Sequence, residues 1–280
     1  MPEDTPPLPV ALFELSLLVL GVVLLWRFVL SPAARARLRA HPPQLAPWTI
    51  SIRDFFLCAA LIAAAGLVAS FAAGLLLAPF DLSPDAKTIV NSAAFQLGLL
   101  LGPAFAPLDL GHPPLRPPLP RSVFASGLVT FLIALPVVTA VNLVSLYLLD
   151  LAGLPAQQQD LLRLFSEADS SVLLTVMIVL AVLVAPIAEE LLFRATFFRF
   201  LRTRVPRFIA LLLPGTIFAA LHVNWSNYDG LASFLPLVTL AVIFSLAYER
   251  TGRIATAMIA HAFFNLHTLL LLFAGVSPQP

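Results

Sequence analysis

The chain alternates long apolar runs with short polar stretches, and the runs fall near 8–30, 52–79, 88–106, 121–149, 171–198, 207–223, 231–248 and 253–274. Crossing about 30 Å of hydrocarbon takes roughly 20 apolar residues in a helix, which satisfies its own backbone hydrogen bonds where water is absent. The pattern predicts an all-α, polytopic membrane protein of about eight transmembrane helices. No connector is long enough for a soluble domain. The longest are 31–51, 107–120 and the polar stretch 150–170, where Gln157 to Arg163 is expected to form an interfacial helix. Within one integral membrane domain, residues 1–170 supply about four N-terminal spans and their connectors, and residues 171–275 supply about four more that carry the polar chemistry.

Composition agrees with that pattern. The sequence is 60% hydrophobic and 11% charged, whereas an ordinary soluble domain is about a quarter charged. A net charge of +1, with the arginines spread among loops, excludes the concentrated basic face that a nucleic-acid partner needs. The lone cysteine, Cys58, lies within an apolar run, so neither an intramolecular disulfide nor a cysteine metal site is expected. Glu3 and Asp4 precede the first run and no small-residue cleavage site follows it, which suits a retained span better than a signal peptide.

Charge then sets orientation, because loops rich in Lys and Arg stay cytoplasmic. Arg35, Arg37 and Arg39 follow the first run, Arg116 and Arg121 the third, Arg202, Arg204 and Arg207 the fifth, and Arg250 and Arg253 the seventh. The alternate loops carry mainly acids, Asp81, Asp85, Asp150, Asp160, Glu167, Asp169 and Asp229, with Lys87 and Arg163 as cations. Both termini are therefore expected outside a multi-pass cell membrane, and the loop-poor, Ala/Leu/Arg-rich composition suggests a bacterial inner membrane. Prolines at 136, 186, 214 and 236 lie within the runs, and Pro186 would bend its helix just before an acidic pair.

An ionisable group inside a span is costly unless paired or facing a polar cavity, so it is a functional candidate by default. Glu189, Glu190, Arg194, His222, His261 and His267 stand out. Glu190 and Arg194 are spaced i, i+4 in the order that favours an intrahelical ion pair, a structural duty. Glu189 is turned about 100° away and is the better candidate for chemistry. Phe218 and His222 share a helix face, as do His261 and Asn265, two polar groups that fit a common cavity better than hydrocarbon. His267 falls on another face and is assigned no role; His41 and His112 lie in loops.

Such a set suits peptide-bond hydrolysis. Glu189 fits a general base acting on water, His222 a holder of that water or carrier of its proton, and His261 and Asn265 hydrogen-bond donors to an oxyanion. Glu189, His222 and His261 could alternatively ligate zinc, although the sequence lacks His-Glu-x-x-His.

In order, Glu-Glu-x-x-Phe-Arg at 189–194, Phe-x-x-x-His at 218–222 and His-x-x-x-Asn at 261–265 resemble the CAAX protease and bacteriocin-processing (CPBP, or Abi) family, which includes the type II CAAX prenyl endopeptidases. The resemblance covers about 185–265, and Ala195 departs from it where many bacterial relatives have Gly. It implies about eight helices around a cavity open toward the cytoplasm or lipid, with Glu189 activating water, His222 as its partner, and His261 and Asn265 stabilising the oxyanion. The implied partners are the bilayer and a membrane-associated or lipidated protein or peptide substrate. The rival expectation is a non-hydrolytic membrane protein, such as a bacteriocin-immunity or peptide-binding protein, a scaffold or a small transporter. No internal repeat pairs the two halves of the chain, which disfavours a transporter.

Overall fold

The computed structural model describes residues 7–41, 43–102, 121–154, 164–165, 170–228 and 230–275, and its long elements are helices. They are α1 (Leu8–Leu25, prolonged by a π-helical turn Trp26–Leu30), α2 (Pro32–Ala40), α3 (Ile52–Leu77) and α4 (Pro84–Leu101). The long α5 (Arg121–Ala152) is followed by α6 (Ser171–Arg202), α7 (Arg207–Ala220), α8 (Phe234–Thr251) and α9 (Ile254–Phe273). The interfacial helix expected at 157–163 and the connector 107–120 lie outside the described residues.

Local chemistry explains many of the boundaries. Ser31, Ser51, Ser83 and Ser170 each accept a hydrogen bond from a backbone N–H of the helix they precede, and Pro32 and Pro84 occupy first-turn positions where no donor is lost. Gly252 adopts φ 62°, a left-handed conformation that ends α8 and lets α9 begin two residues later.

Among the described residues, six helices are long and apolar enough to cross a membrane: α1, α3, α5, α6, α8 and α9. The polytopic all-α expectation stands, but two of the eight runs behave differently. With its 14 residues, α7 is only about 21 Å long. It stops at Ala220, where the chain turns and presents His222. In α4, Thr88, Asn91, Ser92 and Gln96 interrupt the apolar character.

Close helix approaches hold the bundle together. In the α3–α4 hairpin, a Cβ on Gly98 would stand 2.5 Å from the Ala65 carbonyl oxygen and 2.7 Å from the Gly66 Cα, so only glycine fits. At the centre, Phe131, Leu135 and Val138 of α5 pack with Leu240 and Phe244 of α8 and Ala257 and Ala260 of α9. Large apolar side chains such as Phe13, Phe71, Leu75 and Leu76 are exposed on α1 and α3, as a lipid-facing surface requires.

The arginine-bearing end is fastened by polar contacts. Buried Glu249 pairs with Arg202 at 2.5 Å and Arg207 at 2.6 Å, and its carbonyl accepts from the N–H groups of Gln44 and Leu45. Arg204 donates to the carbonyls of Trp48 and Ile50, and Arg250 to that of His41. Phe55 stacks on Phe200 with ring centroids 3.7 Å apart. The arginines that give the topology signal thus also strap the α2–α3 connector across the bundle end.

Candidate active site

The site begins with an irregularity in α6. Residues Leu180–Val184 are π-helical, and the N–H of Ala185 bonds to the Leu180 carbonyl, an i to i−5 register. The next residue in that register is Pro186, which has no N–H, so the carbonyl of Ala181 is left without its helical donor. Asn265 of α9 fills the gap: its Nδ2 donates to Ala181 O at 2.8 Å. A proline and an asparagine distant in sequence therefore form one joint between α6 and α9.

One turn further, Glu190 and Arg194 are fully or almost fully buried and form the expected pair, with Nη1 2.9 Å from Oε1. The guanidinium lies over the rings of Phe218 and Phe244, 4.9 and 5.6 Å from their centroids. The spacing argument did not reveal that Glu190 has a second partner. His261 Nδ1 is 3.0 Å from Glu190 Oε1, and its Nε2 is 3.7 Å from Glu189 Oε2. An ionised carboxylate oxygen only accepts, so Nδ1 is the donor in the contact with Glu190, and Nε2 is turned toward Glu189. Arg194, Glu190, His261 and Glu189 form a chain of alternating basic and acidic groups walled by aromatic rings.

His222 is oriented by its own turn. Its Nδ1 is 2.7 Å from the Phe218 carbonyl oxygen, an acceptor, so Nδ1 carries the hydrogen and Nε2 is the free nitrogen. The Phe218 ring packs against the imidazole, with centroids 4.5 Å apart.

Glu189, His222, His261 and Asn265 line one cavity of about 410 Å³, the size of a small-ligand site. His267 lines it too, although its helical phase assigned it elsewhere, because the cavity wraps around α9. Its Nε2 is 3.0 Å from both carboxylate oxygens of Glu14 on α1. Glu14 is the site-proximal residue that motif spacing misses. The test applied to the other spans, an ionisable side chain within an apolar run, picks it out.

The zinc option fits this arrangement poorly. Among the described residues no three His, Cys, Asp or Glu side chains converge as metal ligands. The Nδ1 of His261 is held by Glu190 and its Nε2 faces Glu189.

Residues 171–267 match the family model described as type II CAAX prenyl endopeptidase Rce1-like. The resemblance drawn from the three motifs is thus borne out over this segment. The Rce1-like segment starts with α6 and ends at His267, so it contains Glu189, Glu190, Arg194, His222, His261 and Asn265. The UPF0177 protein YbdI of Lactococcus lactis subsp. lactis (strain IL1403) is 32% identical over 94 residues, 33% of this chain and 46% of that protein. The chain thus spans less than half the length of this curated relative. No solved structure matches. Outside the Rce1-like segment, α4 and α5 complete the cavity wall with Thr88, Ser92, Gln96, Thr139 and Asn142.

Proposed function

We propose that the chain is an intramembrane endopeptidase that hydrolyses a peptide bond of a membrane-associated or lipidated protein or peptide, with Glu189 activating the water. The observation that carries this reading is that, among the described residues, Glu189 is the one carboxylate lining the cavity, beside His222, His261 and Asn265, within the Rce1-like segment. Its neighbour Glu190 is committed to Arg194 and His261.

In this reading Glu189 takes a proton from water while His222 Nε2 accepts the water's other hydrogen bond. The hydroxide adds to the scissile carbonyl carbon and the C=O electron pair moves to oxygen. His261 and the second N–H of Asn265 donate to that oxyanion, the first N–H being held by Ala181. As the C–N bond breaks, Glu189 returns the proton to the leaving nitrogen, giving a carboxylic acid and an amine. Glu190 holds the His261 ring and Arg194 balances the charge, so both are positioning residues. The π-helical stretch Leu180–Val184 and Pro186 leave the Ala181 carbonyl to Asn265, which ties this face of α6 to α9.

The test is cleavage of a membrane-peptide library by the detergent-purified full chain, wild type beside Glu189→Gln, with chelator and added zinc in parallel arms. Cleavage by wild type, unaffected by chelator and lost in the variant, is the expected result. A folded wild type that binds but never cuts would replace this reading with the immunity or peptide-binding one.

A further inference from the structure

The end of α1 repeats the device found at Pro186. In the π-helical turn Trp26–Leu30 the N–H of Ser31 bonds to the Trp26 carbonyl at 2.8 Å, an i to i−5 register. The next donor in that register would be Pro32, which has no N–H, so the Arg27 carbonyl needs another partner. Arg37 supplies it: its Nη2 donates to Arg27 O at 3.0 Å. That bond, together with Arg250 donating to the carbonyls of Leu38 and His41, holds α2 between the end of α1 and the end of α8.

This elbow is basic and has no counter-ion of its own. Arg27, Arg35, Arg37 and Arg39 are exposed, and Arg35 and Arg39 lie one turn apart on one face of α2. No Asp or Glu occurs between Glu14 and Asp54, and among the described residues none of the four arginines pairs with a carboxylate. Arg202 and Arg207, by contrast, share Glu249. Beside the basic groups, Trp26, Phe28 and Leu30 are 59%, 44% and 48% exposed. They close the 23-residue apolar span Leu8–Leu30, and the Arg27 guanidinium lies over the Phe28 ring, 5.8 Å from its centroid. An apolar surface meeting a basic one at the end of a membrane-crossing helix matches the boundary between acyl chains and headgroups. We propose that the α1–α2 elbow binds the headgroups of anionic phospholipids, with Arg35 and Arg39 holding the phosphate. Arg37 spends one of its five N–H donors on the Arg27 carbonyl, so its remaining donors and the Arg27 side chain add to the same positive field. The exposed Trp26, Phe28 and Leu30 favour a lipid over a dissolved phosphate, because only the lipid brings acyl chains to them. The elbow lies outside the Rce1-like segment, and binding there is independent of hydrolysis in the cavity.

The experiment is native mass spectrometry of the full chain in a mild non-ionic detergent, titrated with phosphatidylglycerol or phosphatidylcholine, with inorganic phosphate and glycerol 3-phosphate as competitors in separate arms. Wild type is compared with Arg35→Gln/Arg39→Gln, with Arg27→Gln, and with Lys87→Gln, which removes a cation from another helix. Wild type should bind phosphatidylglycerol about tenfold or more tightly than phosphatidylcholine, since each arginine near a headgroup contributes about fivefold. The double variant should lose most of that preference, Arg27→Gln a smaller part, and Lys87→Gln none; neither dissolved phosphate should displace the lipid. Both elbow variants keep the Arg37 bond, which is made to the backbone of Arg27, and the single variant keeps the test usable if the double one misfolds. An undiminished preference in both elbow variants overturns the proposal. So does an equal preference loss in Lys87→Gln, which would mean a diffuse charge effect, or displacement by inorganic phosphate, which would mean a site for dissolved anions.

Discussion

Six residues apart on α9, two imidazoles each meet a carboxylate at 3.0 Å, and the two contacts differ in what surrounds them. His261 meets Glu190 in a fully buried setting, with Arg194 on the same carboxylate oxygen, two phenylalanine rings around the guanidinium, and a second carboxylate, Glu189, at its other nitrogen. His267 meets Glu14 where both side chains retain some exposure, and the contact ties α9 to α1. The same pair of residue types can therefore be part of the proposed reactive group or a fastener. What separates them is an uncommitted carboxylate facing the cavity, which the inner group has in Glu189.

The sharpest way to break this comparison is Glu189→Gln, which keeps the shape and removes the proposed base. Cleavage should fall by about two to four orders of magnitude, as for loss of a general base, while the solubilised protein keeps its thermal melting profile. Arg194→Ala attacks the support of the inner group. It leaves Glu190 buried and unbalanced, a change that costs about 3–5 kcal/mol for a buried pair, so folded yield in detergent should drop sharply. Equal loss of folded yield in Glu189→Gln would end the distinction between the two glutamates.

A smaller effect is expected at the α6–α9 joint. Asn265→Ala strands the carbonyl of Ala181 next to Pro186, worth about 1–3 kcal/mol as an unsatisfied buried group. It should lower the melting temperature and reduce kcat together, the second because the proposed donor to the oxyanion is gone. An unchanged melting temperature would mean that the Ala181 contact has no structural weight. His267→Ala comes last: it should cost about 1 kcal/mol or less in stability and leave cleavage near wild type. A hydrolytic defect equal to that of His222→Ala would move the reactive group toward Glu14 and erase the comparison.

Much of this was legible in the chain. A helix in lipid must be apolar over about 20 residues, so the runs predicted the helical bundle. The i, i+4 spacing placed Glu190 against Arg194, and the same geometry turned Glu189 away from Arg194. The relation of His261 to Glu190 was hidden because it joins residues 71 positions apart. Asn265 was noticed for its polarity, but its bond to Ala181 depends on a π-helical register that no residue pattern announced. Glu14 was passed over as part of an apolar run, since nothing local indicates that α1 lies beside α9 at the level of His267.

Hydropathy and short-range spacing determined the fold class, the charge asymmetry of the two ends and the intrahelical ion pair, because these depend on the solvent and on neighbours within one or two helical turns. Tertiary packing decided that α7 stops short, that both nitrogens of His261 face carboxylates, and that Glu189, His222, His261 and Asn265 line one cavity. Those features depend on the phase and height at which separate helices meet. In a bundle held by close packing, that register is set by side-chain fit across the interfaces, such as Gly98 against Ala65, which no single run contains.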